Sequence, residues 1–121
     1  MDFANRQPIY MQIADYFCEN ILKKEWKENE KIPSVREIAV LVEVNPNTAL
    51  RAYTFLQDQG IIHNKRGIGY FVAEDGYEKT LEKRKTEFVQ KDLPSLFKTM
   101  ELLCLKLDDL IQLYKKHYSL T

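Results

Sequence analysis

Two helix starts lie close together in the middle of the chain, and they constrain its fold more than any other feature. Ser34 and Glu37 form the first, because a serine followed three residues later by a glutamate can exchange hydrogen bonds in a capping box. Asn45 and Pro46 form the second, since asparagine caps helices and proline fits the first helical position. The apolar spacing predicts a short helix over 35–42 and a longer one that Gly60 ends in a left-handed conformation. The two helices, separated by about three residues, predict a helix-turn-helix.

The sequence on both sides of this motif completes a small domain. Before it, apolar residues recur at every fourth position from Ile9 to Ile21, which predicts an amphipathic helix that begins at Pro8. After it, two short β-prone runs at 61–64 and 70–72 flank a glycine-containing loop and predict a hairpin. A helix-turn-helix followed at once by a hairpin is a winged helix.

The last third of the chain has a different pattern. A charged segment with few apolar residues follows residue 75, and the stretch 92–95, which contains Pro94, should break it. Beyond that, apolar residues at alternating spacings of three and four predict one long helix as far as Tyr114. One sparse helix cannot cover so broad an apolar face, and we infer that a second copy of the chain does. The residues expected between the two copies are Leu96, Met100, Leu103, Leu107, Leu110 and Tyr114.

These patterns predict a mainly α-helical chain with a small β-hairpin. A winged helix-turn-helix is expected over residues 1–75 and a two-helix dimerisation region over 76–121. The apolar share of 45% and the charged share of 30% are those of a globular protein and exclude a disordered chain. No apolar run approaches the roughly 20 residues of a membrane span, and the first residues lack the order of a signal peptide. We therefore expect a cytoplasmic protein with no membrane partner.

Catalytic and metal-binding patterns are missing from the sequence. It contains no glycine-rich phosphate loop, no nucleophile elbow and no zinc-protease motif, so we expect neither enzyme activity nor a cofactor. Cys18 and Cys104 are too far apart for a CxxC pair and suggest thiols in a reducing compartment.

Local charge and polarity favour nucleic acid more than the net charge does. The 18 basic and 18 acidic side chains cancel, but between residues 44 and 72 only Asp58 is acidic. The basic residues in that stretch are Arg51, Lys65 and Arg66. Asn47 and Thr48, at the start of the second helix, offer donors to phosphates and base edges. Each of these side chains also has an ordinary interpretation, as part of a helix cap, a solvated helix position or a polar turn.

Several motifs, taken in order, resemble a known family. They are Pro8-Ile9-Tyr10-x-Gln12-Ile13, Ile32-Pro33-Ser34-Val35-Arg36-Glu37-Ile38-Ala39, Val44-Asn45-Pro46-Asn47-Thr48-x-x-Arg51-Ala52-Tyr53-x-x-Leu56, Gly60 and Gly67-x-Gly69-Tyr70-Phe71-Val72. Over about residues 7–73 they resemble the GntR family of bacterial transcriptional regulators. The Asn-Pro-Asn-Thr start of the second helix, and the short region after the wing, resemble the YtrA-type subfamily.

The resemblance implies a homodimer that binds double-stranded DNA at a pseudo-palindromic operator, most simply as a repressor. The DNA-contacting residues that it implies are Ser34, Arg36, Asn45, Asn47, Thr48, Arg51, Lys65, Arg66 and Gly67. Pro46 and Leu50 differ from the residues common in other branches, so base recognition cannot be copied from those branches. Glu43 stands where the family usually has glycine, and a positive φ there would carry some cost. A small-molecule effector would be compatible with the family, but no residue identifies one.

Two alternatives come from other classes of protein. A winged helix can serve as a protein-interaction module without specific DNA binding, and the zero net charge favours that reading. An enzyme with a site built from scattered carboxylates is the third possibility. DNA binding with a steep salt dependence distinguishes the first interpretation from the interaction module. The lack of a convergent polar pocket would end the enzyme interpretation.

Overall fold

Three helices and a two-stranded hairpin follow one another in the predicted order. The computed structural model describes residues 7–119. The elements of this part are α1 (Ile9–Leu22), α2 (Val35–Leu41), α3 (Pro46–Asp58), β1 (Ile62–Lys65) and β2 (Gly69–Val72). Only residues 42–45 join α2 to α3, and the hairpin follows α3 at once. The winged helix-turn-helix is therefore confirmed.

Both predicted helix starts have the expected hydrogen bonds. The Glu37 backbone N–H donates to the Ser34 hydroxyl at 3.1 Å, and the Ser34 backbone N–H donates to the Glu37 carboxylate at 2.9 Å. At α3, the Asn47 backbone N–H donates to the Asn45 side-chain oxygen at 2.8 Å, and Pro46 is the first helical residue. Each cap satisfies an N–H that has no partner within its own helix.

The ends of α2 and α3 share one geometry. After α3, Gly60 has a φ of 75°, and the N–H of Ile61 donates to the carbonyl of Leu56 at 3.0 Å. After α2, Glu43 has a φ of 55°, and the N–H of Val44 donates to the carbonyl of Ala39 at 2.9 Å. Both ends are Schellman motifs, in which one left-handed residue turns the chain out of the helix. The left-handed conformations expected at Gly60 and at Glu43 are confirmed.

One hydrophobic core joins the helices to the hairpin. Helices α1 and α2 both pack against α3. Phe17 lies at the centre, with its ring centre 5.1 Å from that of Tyr53 and 4.9 Å from that of Trp26, both in edge-to-face contact. Ile62 and Val72, paired across the hairpin, are buried in the same core. Edge-to-face pairs of this kind contribute about 0.5–1.5 kcal/mol beyond the area that they bury.

The hairpin is also joined to the segment before α2. Strands β1 and β2 are antiparallel, and Ile62 pairs with Val72 and Lys65 with Gly69. Lys31 forms a further bridge to Phe71, and the Ile32 N–H donates to the Tyr70 carbonyl at 3.0 Å. The wing therefore belongs to the same core as the helix-turn-helix.

The C-terminal region corrects two predictions about helix boundaries. Helix α4 (Gly76–Glu87) continues through a π-helical turn, Phe88–Asp92, into α5 (Leu93–Leu102). The break expected at 92–95 is therefore wrong. Pro94 cannot donate a backbone hydrogen bond, and the wide turn just before it shifts the bonding pattern, with the Leu93 N–H donating to the Phe88 carbonyl. The chain stays helical through the proline.

The single long helix predicted as far as Tyr114 is also wrong. Helix α5 ends at Leu102, and α6 (Leu107–His117) begins after four residues. Cys104 has a φ of 59°, and the Leu105 N–H donates to the Met100 carbonyl at 2.9 Å. The Lys106 N–H then donates to the Asp109 carboxylate at 2.9 Å at the start of α6. The apolar spacing of three and four residues continues across this turn. A Schellman end and a new helix start nevertheless divide the segment into two helices.

The chain forms two compact units that part between Lys83 and Arg84. The division expected after residue 75 stays a prediction; it lies just before α4, whose first two turns belong to the first unit. Thr80 in those turns is fully buried and donates from its hydroxyl to the Gly76 carbonyl at 2.7 Å. Tyr77 packs against the core of the winged helix.

Candidate nucleic-acid interface

The first turn of α3 presents polar side chains to the solvent. Asn45 and Asn47 are exposed, and Thr48 is half-buried. Asn45 also caps the helix, the structural role expected of it. The N-terminus of a 13-residue helix carries partial positive charge, which favours an anion. This turn can therefore bind a phosphate or place an amide against a base edge.

The start of α2 is fixed to the middle of α3. Ser34 is held in the capping box, and Arg36 in the next turn is exposed. The Tyr53 hydroxyl, from α3, donates to the backbone carbonyl of Pro33. This contact sets the position of the α2 start relative to the α3 helix.

Two pKa shifts mark this junction. The hydrogen bonds from Ser34, backbone first and hydroxyl second, lower the pKa of the exposed Glu37 carboxyl below its ordinary value. Burial raises the pKa of the Tyr53 hydroxyl, and the negative charge of Glu37 adds to the effect. The Tyr53 hydroxyl therefore stays protonated and acts as a donor.

Between residues 44 and 72, the basic side chains lie on α3, at Arg51, and on the wing, at Lys65 and Arg66. Arg51 is exposed on α3, and its guanidinium carbon lies over the ring of Tyr10, 4.2 Å from the ring centre. Lys65 reaches over the ring of Phe71, with its ammonium nitrogen 4.5 Å from the ring centre. Arg66 and Gly67 form the exposed tip of the hairpin, where Gly67 has a φ of 77°. A β-carbon added at Gly67 would meet nothing within 4 Å, so its backbone angle, and not crowding, favours glycine.

The nine residues proposed for DNA all lie in the first unit. Eight of them are exposed, and Thr48 is the half-buried one. Tyr53 and Tyr70, with ring centres 4.7 Å apart, join α3 to the wing strand β2. Sequence reasoning did not predict the contact between Tyr10 and Arg51, although Tyr10 belongs to the first motif of the resemblance.

The residues proposed for the dimer interface lie in the second unit. Leu103, Leu107 and Tyr114 are more than half exposed, Leu96 is 38% exposed and Leu110 is half-buried. Met100 is buried within the single chain. Further exposed apolar side chains are Phe97 and Leu102 on α5, Ile111 and Leu113 on α6, and Tyr118 just after α6. Such a dense exposed apolar surface is typical of an interaction site.

Residues 7–119 contain neither a membrane-spanning helix nor a cluster of metal ligands. No helix in that range is both long and apolar enough to span a bilayer. No group of three or more histidine, cysteine or acidic side chains in it is arranged to hold a metal ion.

Comparison with known proteins identifies the family of this fold. Residues 9–72 match the family model described as bacterial regulatory proteins, gntR family. The chain is 34% identical over 110 residues to the uncharacterised HTH-type transcriptional regulator YhcF of Bacillus subtilis, covering 91% of this chain and 89% of YhcF. It is 38% identical over 96 residues to the HTH-type transcriptional repressor YtrA of the same organism, covering 79% of this chain and 73% of YtrA.

Solved structures agree. A crystal structure of a GntR-family regulator from Bacteroides thetaiotaomicron has a TM-score of 0.76 at 39% identity, covering 92% of this chain and 96% of that one. The DNA-binding domain of AraR, solved with its operator ORR3, has a TM-score of 0.52 at 28% identity, covering 53% of this chain and 77% of that one. The family and these relatives are transcriptional regulators and not enzymes. The chain belongs to the GntR family of DNA-binding bacterial transcriptional regulators.

Proposed function

We propose that this regulator is a homodimeric repressor that binds a pseudo-palindromic operator. The observation that carries the proposal is the exposed, donor-rich first turn of α3, with basic side chains on α3 and on the wing. Two relatives support it, because YtrA is named a repressor and the AraR domain was solved with its operator.

The elements of the first unit suggest a binding mode. Helix α3 would enter the major groove with Asn45, Asn47 and Thr48 at base edges and phosphates, as recognition helices do. Ser34 and Arg36 would bind the backbone beside it. Lys65, Arg66 and Gly67 would reach the flanking groove from the wing. Repression would follow from blocking access of the polymerase to the promoter.

The second unit supports the dimer. Its exposed leucines and aromatics would be covered by the same residues of a second chain across a two-fold axis. Two recognition helices held about one DNA turn apart, roughly 34 Å, would then contact two half-sites. Such a regulator would need no cofactor and would act in the cytoplasm, on the bacterial chromosome.

A specific observation favours a second candidate function. Val40 and Leu41, at the end of α2, are 79% and 64% exposed. With Arg36 and Glu37 they line an open apolar hollow of about 440 Å³. Exposed branched residues on a short helix would suit a winged helix that binds another protein.

Selection of duplexes from a random library separates the two candidates. We expect the purified full chain to enrich a two-fold symmetric site. The logarithm of its affinity should fall linearly with the logarithm of salt, by a slope of about −0.9 for each phosphate contact. Salt-independent binding, or no binding, contradicts the DNA proposal and favours the protein-interaction module.

A double variant tests the wing. Lys65→Ala with Arg66→Ala should weaken operator binding and reduce the salt slope by up to about two. Lys23→Ala with Lys27→Ala is the matched control, because it removes the same charge from exposed positions at and beyond the end of α1. Equal effects of the two double variants would show that only overall charge matters.

A further inference from the structure

Arg51 of the recognition helix rests on an aromatic ring from a different helix. Its guanidinium carbon lies 4.2 Å from the centre of the Tyr10 ring. Tyr10 is in the first turn of α1, and Arg51 is in the middle of α3. The contact therefore joins the start of the domain to the surface proposed for DNA.

The Tyr10 ring is itself held in place. It is half-buried and packs against the hydrophobic core. Its edge meets the Phe55 ring, with the ring centres 6.4 Å apart and the planes at 70°. Phe55 also packs against the core. Arg51 thus rests on a platform that is fixed before any DNA arrives.

Arg51 lies on the same face of α3 as Asn47 and Thr48. It lies four residues after Asn47 and three after Thr48, and residues at these spacings are neighbours on a helix surface. The donors of Arg51 can thus act together with the polar groups of that turn.

A contact with a ring face leaves the donors of an arginine available. The attraction is between the cation and the π electrons, and the face of the ring accepts no conventional hydrogen bond. The N–H groups of the guanidinium point outward in its plane, where they can pair with a guanine edge or a phosphate. The contact with the ring therefore restricts the long side chain and leaves N–H donors of the guanidinium available for DNA.

Without the ring, the Arg51 side chain could adopt another orientation. An open groove of about 310 Å³ beside it is lined by Leu50, Thr54 and Asp58 as well as by Tyr10. Asp58 is the only acidic residue between positions 44 and 72. An arginine released from Tyr10 can turn towards this carboxylate, away from the DNA.

We propose that Tyr10 is a positioning residue that holds Arg51 ready for operator recognition. The inference rests on the proposed function, since it assigns a role in DNA binding to a residue outside the helix-turn-helix and the wing. Tyr10 acts through Arg51 and need not touch DNA.

A double-mutant cycle on the full chain tests the proposal. Tyr10→Leu removes the π face and keeps apolar bulk, whereas Tyr10→Phe keeps the ring and serves as the conservative control. The probe is the duplex selected by the wild-type chain, with a scrambled duplex of equal length beside it. We expect Tyr10→Leu to weaken operator binding about two- to fivefold, the size of an exposed cation–π contact, and Tyr10→Phe to leave it unchanged. In an Arg51→Ala background, Tyr10→Leu should have no further effect.

Two further readouts separate positioning from a loss of stability. Thermal unfolding shows that each variant is folded at the assay temperature. Ring-current shifts of the Arg51 side-chain protons should disappear in free Tyr10→Leu and persist in Tyr10→Phe. An equal loss of affinity with and without Arg51, or no loss at all, overturns the inference and leaves the proposed function standing. If the wild-type chain selects no duplex, the proposed function fails and the role of Tyr10 in recognition fails with it.

Discussion

At the residue scale, Glu43 has a backbone conformation that suits glycine. Its φ of 55° is required by the Schellman end of α2. A left-handed conformation costs a residue with a β-carbon about 1–2 kcal/mol, although glycine loses roughly 0.5–1 kcal/mol through the freedom of its unfolded chain. We expect Glu43→Gly to raise the free energy of unfolding by up to about 1 kcal/mol, measured by urea denaturation. Glu43→Ala is the control, because it removes the carboxylate and keeps the strain. An equal gain from both variants would attribute the effect to charge.

Tyr53 should make the fold less stable at alkaline pH. Its hydroxyl is buried, and burial raises its pKa above the ordinary value of 10.0. Because the folded pKa exceeds the unfolded one, the contribution of the protonated hydroxyl is complete below about pH 10 and is lost as pH rises further. We expect the free energy of unfolding to fall above pH 10, and the fall to be shallower in Tyr53→Phe. Urea denaturation of both proteins from pH 8 to 11 measures the difference, and parallel pH profiles would contradict it.

The sequence could place Tyr53 in the core but not its hydroxyl partner. Its spacing with Ala49 and Leu56 puts all three on the buried face of α3. The partner is the backbone carbonyl of Pro33, twenty residues earlier. Every residue has a backbone carbonyl, so the sequence cannot show which carbonyl accepts this bond. Only the packing of α2 on α3 brings the hydroxyl and the carbonyl together. The same holds for Tyr10 and Arg51, which lie on separate helices.

At the element scale, the accuracy of the sequence-based boundaries depends on how local their signals are. The starts of α2 and α3 were predicted because each cap bonds to an N–H two or three residues away. The predicted C-terminal boundaries were wrong because no nearby sequence signal marks the true ones. Proline normally breaks a helix, and the π-helical turn that accommodates Pro94 cannot be recognised from the amino-acid sequence. Cys104 ends α5 in a left-handed conformation for which cysteine gives no warning.

The close packing of α4 against the hairpin gives a prediction for this element. A β-carbon added at Gly76 would lie 2.8 Å from the Ile61 carbonyl oxygen and 2.9 Å from a methyl group of Val72. Both distances are too short, and the first neighbour is backbone, so the helix must shift. We expect Gly76→Ala to lower the free energy of unfolding by about 1–3 kcal/mol, measured by urea denaturation.

Glu78→Ala is the matched control for that variant, because Glu78 is exposed two residues later on the same helix. It should change the stability by less than about 0.5 kcal/mol. If Gly76→Ala is as stable as the control, α4 does not depend on this close approach to Ile61.

At the scale of the whole molecule, the two units differ in how many of their apolar residues are buried. The first buries one contiguous core, whose members run from Ile13 in α1 to Val72 in β2. In the second, Met100 is the one described apolar residue that is buried, and α6 has none. A unit with so little core of its own gains stability by covering its apolar surface with a partner.

The proposed dimer can be tested on α6. Leu107 is 67% exposed, so a charge there should leave the single chain folded. Within a dimer interface the same charge would be buried without a partner, and we expect Leu107→Glu to weaken self-association by about tenfold or more. Sedimentation equilibrium over a range of concentrations measures this. Gln112→Glu adds the same charge at another exposed position of α6 and is the control. A wild-type chain that sediments as a monomer contradicts the dimer.

The turn between α5 and α6 gives the molecule a natural spectroscopic handle. Of its two cysteines, Cys18 is buried in the core of the first unit, and Cys104 is exposed at the left-handed residue of that turn. A thiol-reactive spin label or dye would therefore mark one position per chain without any engineered substitution. In a two-fold assembly the two labels would be symmetry mates, and a single distance distribution between them would report how the helical regions pair. The same measurement, repeated with operator DNA, would show whether binding changes that distance.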